Sequence, residues 1–233
     1  MLSANEIKTI RSLREKKFRD SVGLFTVEGE KMVSEALASG MEVVQVIRRD
    51  EVGEAVMGRL SSLSTPPPVL AVVRQGEAPR PGKPSGLCLA LDSIRDPGNL
   101  GTILRIADWF GIDTVYASPD TVEVFNPKVI QASMGSVFRK RPVYCDLPQL
   151  CESFASSGLE VFGTFLEGDS IYTAELPSQG LIIMGNESEG ISGAVAGKVG
   201  RRITITRFGR PDGAESLNVA VATAVTLSEF RRR

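Results

Sequence analysis

With 233 residues, 42% of them hydrophobic and 24% charged, the chain has room for a small and a medium domain, each with a core of its own. No apolar run reaches the roughly 18 residues that span a bilayer. The start Met1-Leu2-Ser3-Ala4-Asn5-Glu6 lacks a secretory pattern, and Cys88, Cys145 and Cys151 have neither disulfide-framework nor zinc-site spacing, so a cytoplasmic protein with no membrane and no metal is expected.

Residues 5–17 read as one basic amphipathic helix, with Ile7, Ile10 and Leu13 on one face. Lys8, Arg11, Arg14, Lys16, Lys17 and Arg19 crowd this region and leave its other side free to meet phosphates. Apolar runs at 24–27, 43–47 and 69–73, separated by helical stretches at 30–38 and 51–60, predict a small α/β module. Thr65-Pro66-Pro67-Pro68 cannot continue a helix and reads as a stiff loop into the third strand. Gly76, Pro79, Pro81, Gly82, Pro84 and Gly86 then give the composition of a linker, dividing the chain into a module at 1–75, a linker at 76–86 and a second module at 87–233. Beyond it, apolar runs at 87–91, 114–117, 160–165 and 181–184 alternate with helical segments, the pattern of a parallel sheet with helices on its faces. Further basic clusters lie at Arg139-Lys140-Arg141 and at Arg231-Arg232-Arg233. The net charge of −1 excludes a uniformly basic coat, and the absence of histidine removes the usual neutral-pH base.

Three polar loops stand out. After the run at 87–91 comes Asp92-Ser93-Ile94-Arg95-Asp96-Pro97-Gly98-Asn99, leading into a helix that carries Arg105. A turn opening a helix at the carboxyl end of a strand is where open α/β sheets bind ligands. Asn99 could be a turn residue and Arg105 a surface residue; the functional alternative has Arg105 reaching back to a phosphate or ribose while Asn99 orients it. The second loop, Gly185-Asn186-Glu187-Ser188-Glu189-Gly190, lets backbone approach a cofactor closely, and neither it nor the following Gly193-Ala194-Val195-Ala196-Gly197-Lys198 has triphosphate-loop spacing. The third, Glu215-Ser216-Leu217-Asn218, enters a helix of small apolar residues, with Ser216 and Asn218 as candidate caps or as groups that order a reacting hydroxyl.

In this order, Asn99-Leu100-Gly101-Thr102-Ile103-Leu104-Arg105, Gly185-Asn186-Glu187-Ser188-Glu189-Gly190 and Glu215-Ser216-Leu217-Asn218-Val219 resemble the three motifs of the SpoU (TrmH-type) RNA ribose 2′-O-methyltransferases of the SPOUT class. The first third is similar to the small RNA substrate-binding domain often fused ahead of that catalytic domain, with Phe25-Thr26-Val27-Glu28-Gly29 its most recognisable stretch. The resemblance implies an α/β fold with a deep trefoil knot, S-adenosylmethionine as cofactor, RNA as substrate with ribosomal favoured over transfer RNA, and a homodimer whose sites combine residues of both subunits. It implies a reaction centre of Asn99, Arg105, Glu187, Ser216 and Asn218, and cofactor contacts at Thr164, Gly185, Glu187, Ile205 and Leu217, mostly through backbone. One departure is visible. Family members usually have a shorter Pro-containing turn where this chain reads Thr206-Arg207-Phe208-Gly209-Arg210-Pro211-Asp212-Gly213-Ala214, which adds Arg207 and Arg210 to the candidate RNA contacts beside Arg139 and the N-terminal cluster.

Methyl transfer to a hydroxyl is an in-line displacement in which positioning carries much of the barrier lowering. An arginine is effectively always protonated, so Arg105 is read as a phosphate and ribose clamp, with the proton leaving to water or Glu187. The competing readings are a transfer-RNA 2′-O-methyltransferase, a base methyltransferase of the same class, and a non-catalytic RNA-binding protein that retains the fold.

Overall fold

The computed structural model describes residues 2–210 and 212–232. Its N-terminal part begins with α1 (Ala4–Ser12) and α2 (Lys16–Val22). The single helix expected over 5–17 is therefore broken. Leu13 caps α1, and the Arg19 guanidinium of α2 swings back to donate to the carbonyls of Leu13 and Arg14 at 2.7 and 2.8 Å, satisfying groups that a continuing helix would have bonded itself. β1 (Leu24–Glu28), α3 (Glu30–Ala38), β2 (Val43–Arg48), α4 (Arg49–Val52), α5 (Glu54–Leu60) and β3 (Val69–Arg74) complete the module. Its sheet is antiparallel in the order β1-β3-β2.

Strand alternation gives this small sheet two faces. Leu70 and Val72 turn toward Ile7, Ile10 and Leu13 of the N-terminal segment and toward Met57 and Leu60 of α5. Phe25, Val27, Val69, Ala71 and Val73 turn the other way, onto Met32, Val33 and Ala36 of α3, and merge with the core of the larger module. Residues 75–86 carry no helix or strand. The two modules nonetheless share one apolar cluster, in which the rings of Phe25 and Phe125 stack at 4.5 Å, and the buried Arg19 pairs with Glu123.

The larger module runs β4 (Leu87–Leu91), α6 (Pro97–Trp109), β5 (Val115–Ala117), α7 (Pro127–Ser133), a 3-10 turn (Ser136–Phe138), β6 (Val143–Tyr144), α8 (Leu147–Ser156), β7 (Val161–Ser170), β8 (Gly180–Met184), α9 (Gly193–Ala196), β9 (Arg201–Thr204) and α10 (Val219–Arg231). The expected parallel sheet is present, six-stranded in the order β6-β5-β4-β8-β7-β9. β6 and β9 are additions to the sequence reading. Both are edge strands, one two residues long and the other starting Arg201-Arg202, as edges that resist further pairing tend to be.

Along β4, Leu87, Leu89 and Leu91 face α6, α7 and α10, while Cys88 and Ala90 face α8 and α9, so the sheet is buried on both sides. Helix starts follow one local rule: Asp96, Asn126 and Asp146 cap α6, α7 and α8, with a proline in each first turn. Gly101 of α6 is a packing requirement, because a Cβ there would lie 2.6 Å from both the Val129 carbonyl oxygen and the Ala132 Cβ of α7. No helix among the described residues is long and apolar enough to cross a membrane.

Candidate active site at the carboxyl edge of the sheet

The three polar loops leave the carboxyl ends of β4 and β8 and the amino end of α10, and side-chain hydrogen bonds hold them against one another. Asp92, 3% exposed, receives the Ser192 N–H on its Oδ2 at 2.7 Å, tying the first loop to the second. Asn186 donates from Nδ2 to the Ser93 carbonyl at 2.7 Å and accepts the N–H groups of Ser188 and Glu189 on Oδ1 at 2.9 and 3.0 Å. Asp92 and Asn186 were not among the residues singled out from sequence. Their signal is the side chain able to close a local turn, which a search for reactive groups passes over.

Gly185 has a steric reason to be glycine. A Cβ at this position would lie 2.3 Å from both the Gly190 carbonyl carbon and the Ile191 nitrogen. The backbone of residues 186 and 190 therefore doubles back across it, with reciprocal N–H···O bonds of 2.8 and 3.0 Å.

A polar relay crosses the three loops. Asn218 is the N-cap of α10, accepting the N–H groups of Ala220 and Val221 on Oδ1 at 2.9 and 3.3 Å. Its Nδ2 donates to Asn99 Oδ1 at 2.9 Å, and Asn99 Nδ2 donates to Glu187 Oε1 at 2.9 Å. Every amide in this relay has a fixed orientation, because both of its ends are engaged. The relay runs from the positive end of a helix to a carboxylate, the sense in which the dipoles reinforce one another. Glu187 is exposed, and its second oxygen has no hydrogen-bond partner among the described residues.

Ser216 is exposed and its hydroxyl makes no hydrogen bond among the described residues. It does not cap the helix: α10 starts at Val219 and its N-cap is Asn218, two residues beyond Ser216. Arg105 is exposed on α6 and unpaired among the described residues. Six residues of helix place it about 9 Å along and about 120° around from Asn99. Asn99 therefore does not orient Arg105, its amide being committed to Glu187 and Asn218. Thr164, half-buried on β7, donates its hydroxyl to the Ile183 carbonyl at 2.9 Å and pairs with Ile203 of β9 in the sheet. Ile205 is half-buried against the core, and Leu217 stands 52% exposed beside the relay in sequence.

Several candidate RNA contacts have other occupations. Arg19 is 2% exposed and held by two carbonyls and Glu123, which removes it from the RNA-facing set. Arg14 turns to the carbonyls of Arg59 and Ser61. Lys16 pairs with Asp20 at 2.5 Å and Lys17 with Glu15 at 3.4 Å, both at the surface. Lys8 and Arg11 are exposed and unpaired among the described residues. Arg139 is held by Asp108 at 2.9 Å and by Glu35, and Arg207 donates to the Arg210 carbonyl. Burial pushes the thiols of Cys88, Cys145 and Cys151 up to about 11, away from the thiolate form at neutral pH.

Residues 86–228 match the model of the SpoU rRNA Methylase family, and residues 4–52 match that of the MRM3-like substrate binding domain. The chain belongs to the SpoU rRNA methylase family. Among SpoU relatives, it is 31% identical to the 23S rRNA (guanosine(2553)-2′-O)-methyltransferase RlmP of Bacillus subtilis, over 97% of this chain and 96% of that one. Two SpoU-type solved structures superpose on nearly its whole length. A TrmH-family protein from Porphyromonas gingivalis gives a TM-score of 0.89 at 40% identity, covering 100% of this chain and 99% of that one. An AdoMet-bound rRNA methyltransferase from Sinorhizobium meliloti gives 0.86 at 30% identity, covering 100% and 97%.

Proposed function

We propose that this SpoU-family chain transfers the methyl group of S-adenosylmethionine to a ribose 2′-hydroxyl of ribosomal RNA. The observation that carries the reading is the Asn218–Asn99–Glu187 relay, which joins one residue from each of the three family motifs by two 2.9 Å bonds. Full-length similarity to an enzyme named for 2′-O-methylation of 23S rRNA supports the substrate, and an N-terminal segment of substrate-binding type agrees with it.

The residues present fit the cofactor. Gly185 lets the Gly190–Ile191 backbone close directly over it, which fixes a loop whose outward backbone groups are available to a ligand, and Leu217 offers an exposed apolar side chain just before α10. Thr164, Gly185, Ile205 and Leu217 would hold S-adenosylmethionine, chiefly through backbone. When bound, it supplies an electrophilic methyl on a sulfonium, which needs no covalent enzyme intermediate. Asn99 and Asn218 hold Glu187 Oε1 in place, so that Glu187 Oε2 can accept the proton of the ribose hydroxyl or pass it to water. Ser216, with a free hydroxyl at the same edge, orders the ribose.

The same reading contains a homodimer and the knotted passage of the chain through the motif loops. Arg105 projects away from its own relay, and the exposed Trp109 at 85% and Val221 at 51% lie on the mutually packed α6 and α10, a surface suited to a second copy. The partner's copy of this face then brings Arg105 to the ribose and phosphate as a bidentate clamp. Mixing inactive Asn99→Ala with inactive Arg105→Ala protomers should restore activity; mixtures that stay inactive oppose shared sites. The division at residues 76–86 is kept as a boundary in sequence, across which the two modules pack.

The function is tested by mapping 2′-O-methyl sites in total RNA with and without the protein, then restoring it as the wild type or as Asn99→Ala. A site that disappears, returns with the wild type and stays absent with Asn99→Ala supports the reading. An unchanged methylation map opposes it.

A further inference from the structure

At the opposite edge of the sheet from the relay lies a half-open cavity of about 330 Å³, formed where the linker crosses the amino-terminal approaches to β5 and β6. The linker contributes Arg80 and Lys83; the strand approaches contribute Asp113 and Arg139-Lys140-Arg141. Its charge balance is lopsided. Arg139 is neutralised by Asp108 and Glu35, whereas Arg80, Lys83, Lys140 and Arg141 have no carboxylate partner among the described residues. Lys140 donates only to the Ile112 carbonyl, at 2.5 Å. Asp113, the one acid in the lining, already accepts the Leu87 N–H at 2.9 Å.

Arg141 is the most telling member. Its guanidinium lies 5.3 Å over the Phe125 ring, half-buried, and its Nε is buried without a hydrogen-bond partner. Burial holds its pKa below the ordinary arginine value. A guanidinium partly withdrawn from water and left without an anion is unfavourable, and an anion entering the cavity would offset that.

We propose that this cavity is a subsite for backbone phosphate of the RNA substrate, engaging the phosphodiester chain at the edge of the sheet opposite the methyl-transfer centre. The proposal rests on the reading of the chain as an RNA methyltransferase and specifies the substrate further. A five-residue strand spans about 17 Å, so one RNA that occupies both edges must be an extended, structured molecule, and a short oligonucleotide forfeits this contact.

The test uses the full chain. Arg80→Gln/Lys83→Gln removes two exposed, unpaired cations, and Lys128→Gln/Lys198→Gln removes the same charge outside both the cavity and the N-terminal substrate-binding segment. Affinity for a transcript of a large ribosomal RNA domain is measured across a salt series, together with affinity for S-adenosylmethionine and for inorganic phosphate alone. The cavity variant should bind the transcript roughly tenfold more weakly, with the slope of log affinity against log salt reduced by about 2. Cofactor affinity should stay at the wild-type value, and the control should change transcript binding less than about twofold. Equal losses in both variants, or an unchanged slope in the cavity variant, overturn the proposal. So does loss of inorganic phosphate binding with RNA binding intact, which would make this a small-anion site. Wild-type protein that binds the transcript with this salt dependence yet methylates nothing would instead count against the catalytic reading.

Discussion

Substituting Asn99 by aspartate changes one atom of the relay and replaces one of its bonds by a repulsion. One oxygen of the new carboxylate would still accept from Asn218 Nδ2, but the donor to Glu187 Oε1 would be replaced by the other oxygen, at 2.9 Å. Two unit charges at that distance repel by about 1.4 kcal/mol at the dielectric of bulk water. Glu187 is exposed, so water and salt keep the penalty near that lower figure. That is about one pKa unit, carried by whichever carboxyl of the pair binds the shared proton. The sign follows. The raised group is protonated below its shifted pKa, where a carboxyl–carboxylate hydrogen bond rebuilds the relay, and the relay is lost as pH rises through that value. Methyl incorporation into ribosomal RNA, measured for Asn99→Asp and wild type from about pH 8 to about pH 5.5, should show the variant down roughly 100-fold at the alkaline end, the size expected for a misplaced catalytic group. The ratio to wild type should recover as pH falls. An Asn99→Asp protein within about twofold of wild type at about pH 8, or a ratio flat across the range, would refute the relay as the element that positions Glu187.

Gly185→Ala should lower S-adenosylmethionine affinity more than about tenfold and reduce the melting temperature, because two backbone atoms at 2.3 Å must move; calorimetric titration showing wild-type affinity would count against a cofactor role for the 185–190 loop. Arg19→Met should destabilise the fold by about 3 kcal/mol in urea unfolding, since it uncaps α1 and strips Glu123 of its buried partner across the module boundary. A change near zero would return Arg19 to the surface set. Cys88 and Cys151, buried and with thiols pushed up to about 11, should resist alkylation at about pH 8 in native protein and react in denaturant. Rapid native labelling followed by mass spectrometry would contradict the burial.

Apolar alternation made the sheet readable. Leu87 to Leu91 and Leu181 to Met184 are continuous apolar runs, and such runs belong to strands covered on both faces. The edge strands escaped because Val143–Tyr144 is too short for a period and Arg201–Thr204 carries charge where an edge meets water. The N-terminal break escaped because it depends on Arg19, six residues downstream, reaching back to the Leu13 carbonyl, a contact that no local pattern records. In the site, residue types and their order exposed Asn99, Glu187 and Asn218. Which of them touch was not legible, since the pairs are separated by 88 and 119 residues. The same limit produced the expectation that Asn99 orients Arg105: proximity in sequence suggested it, and helical geometry separates them. The shared core between the modules was hidden for a related reason, because a Pro/Gly-rich stretch is legible as irregular backbone but says nothing of whether its flanks pack together.

The central claim is that the Asn218–Asn99–Glu187 edge directs a methyl group to a ribose oxygen. The most direct measurement is mass analysis of nucleosides from ribosomal RNA incubated with the purified protein and S-adenosylmethionine. The account predicts a 2′-O-methylated nucleoside that is absent when Asn99→Ala replaces the wild type. A methylated base without methylated ribose would contradict it.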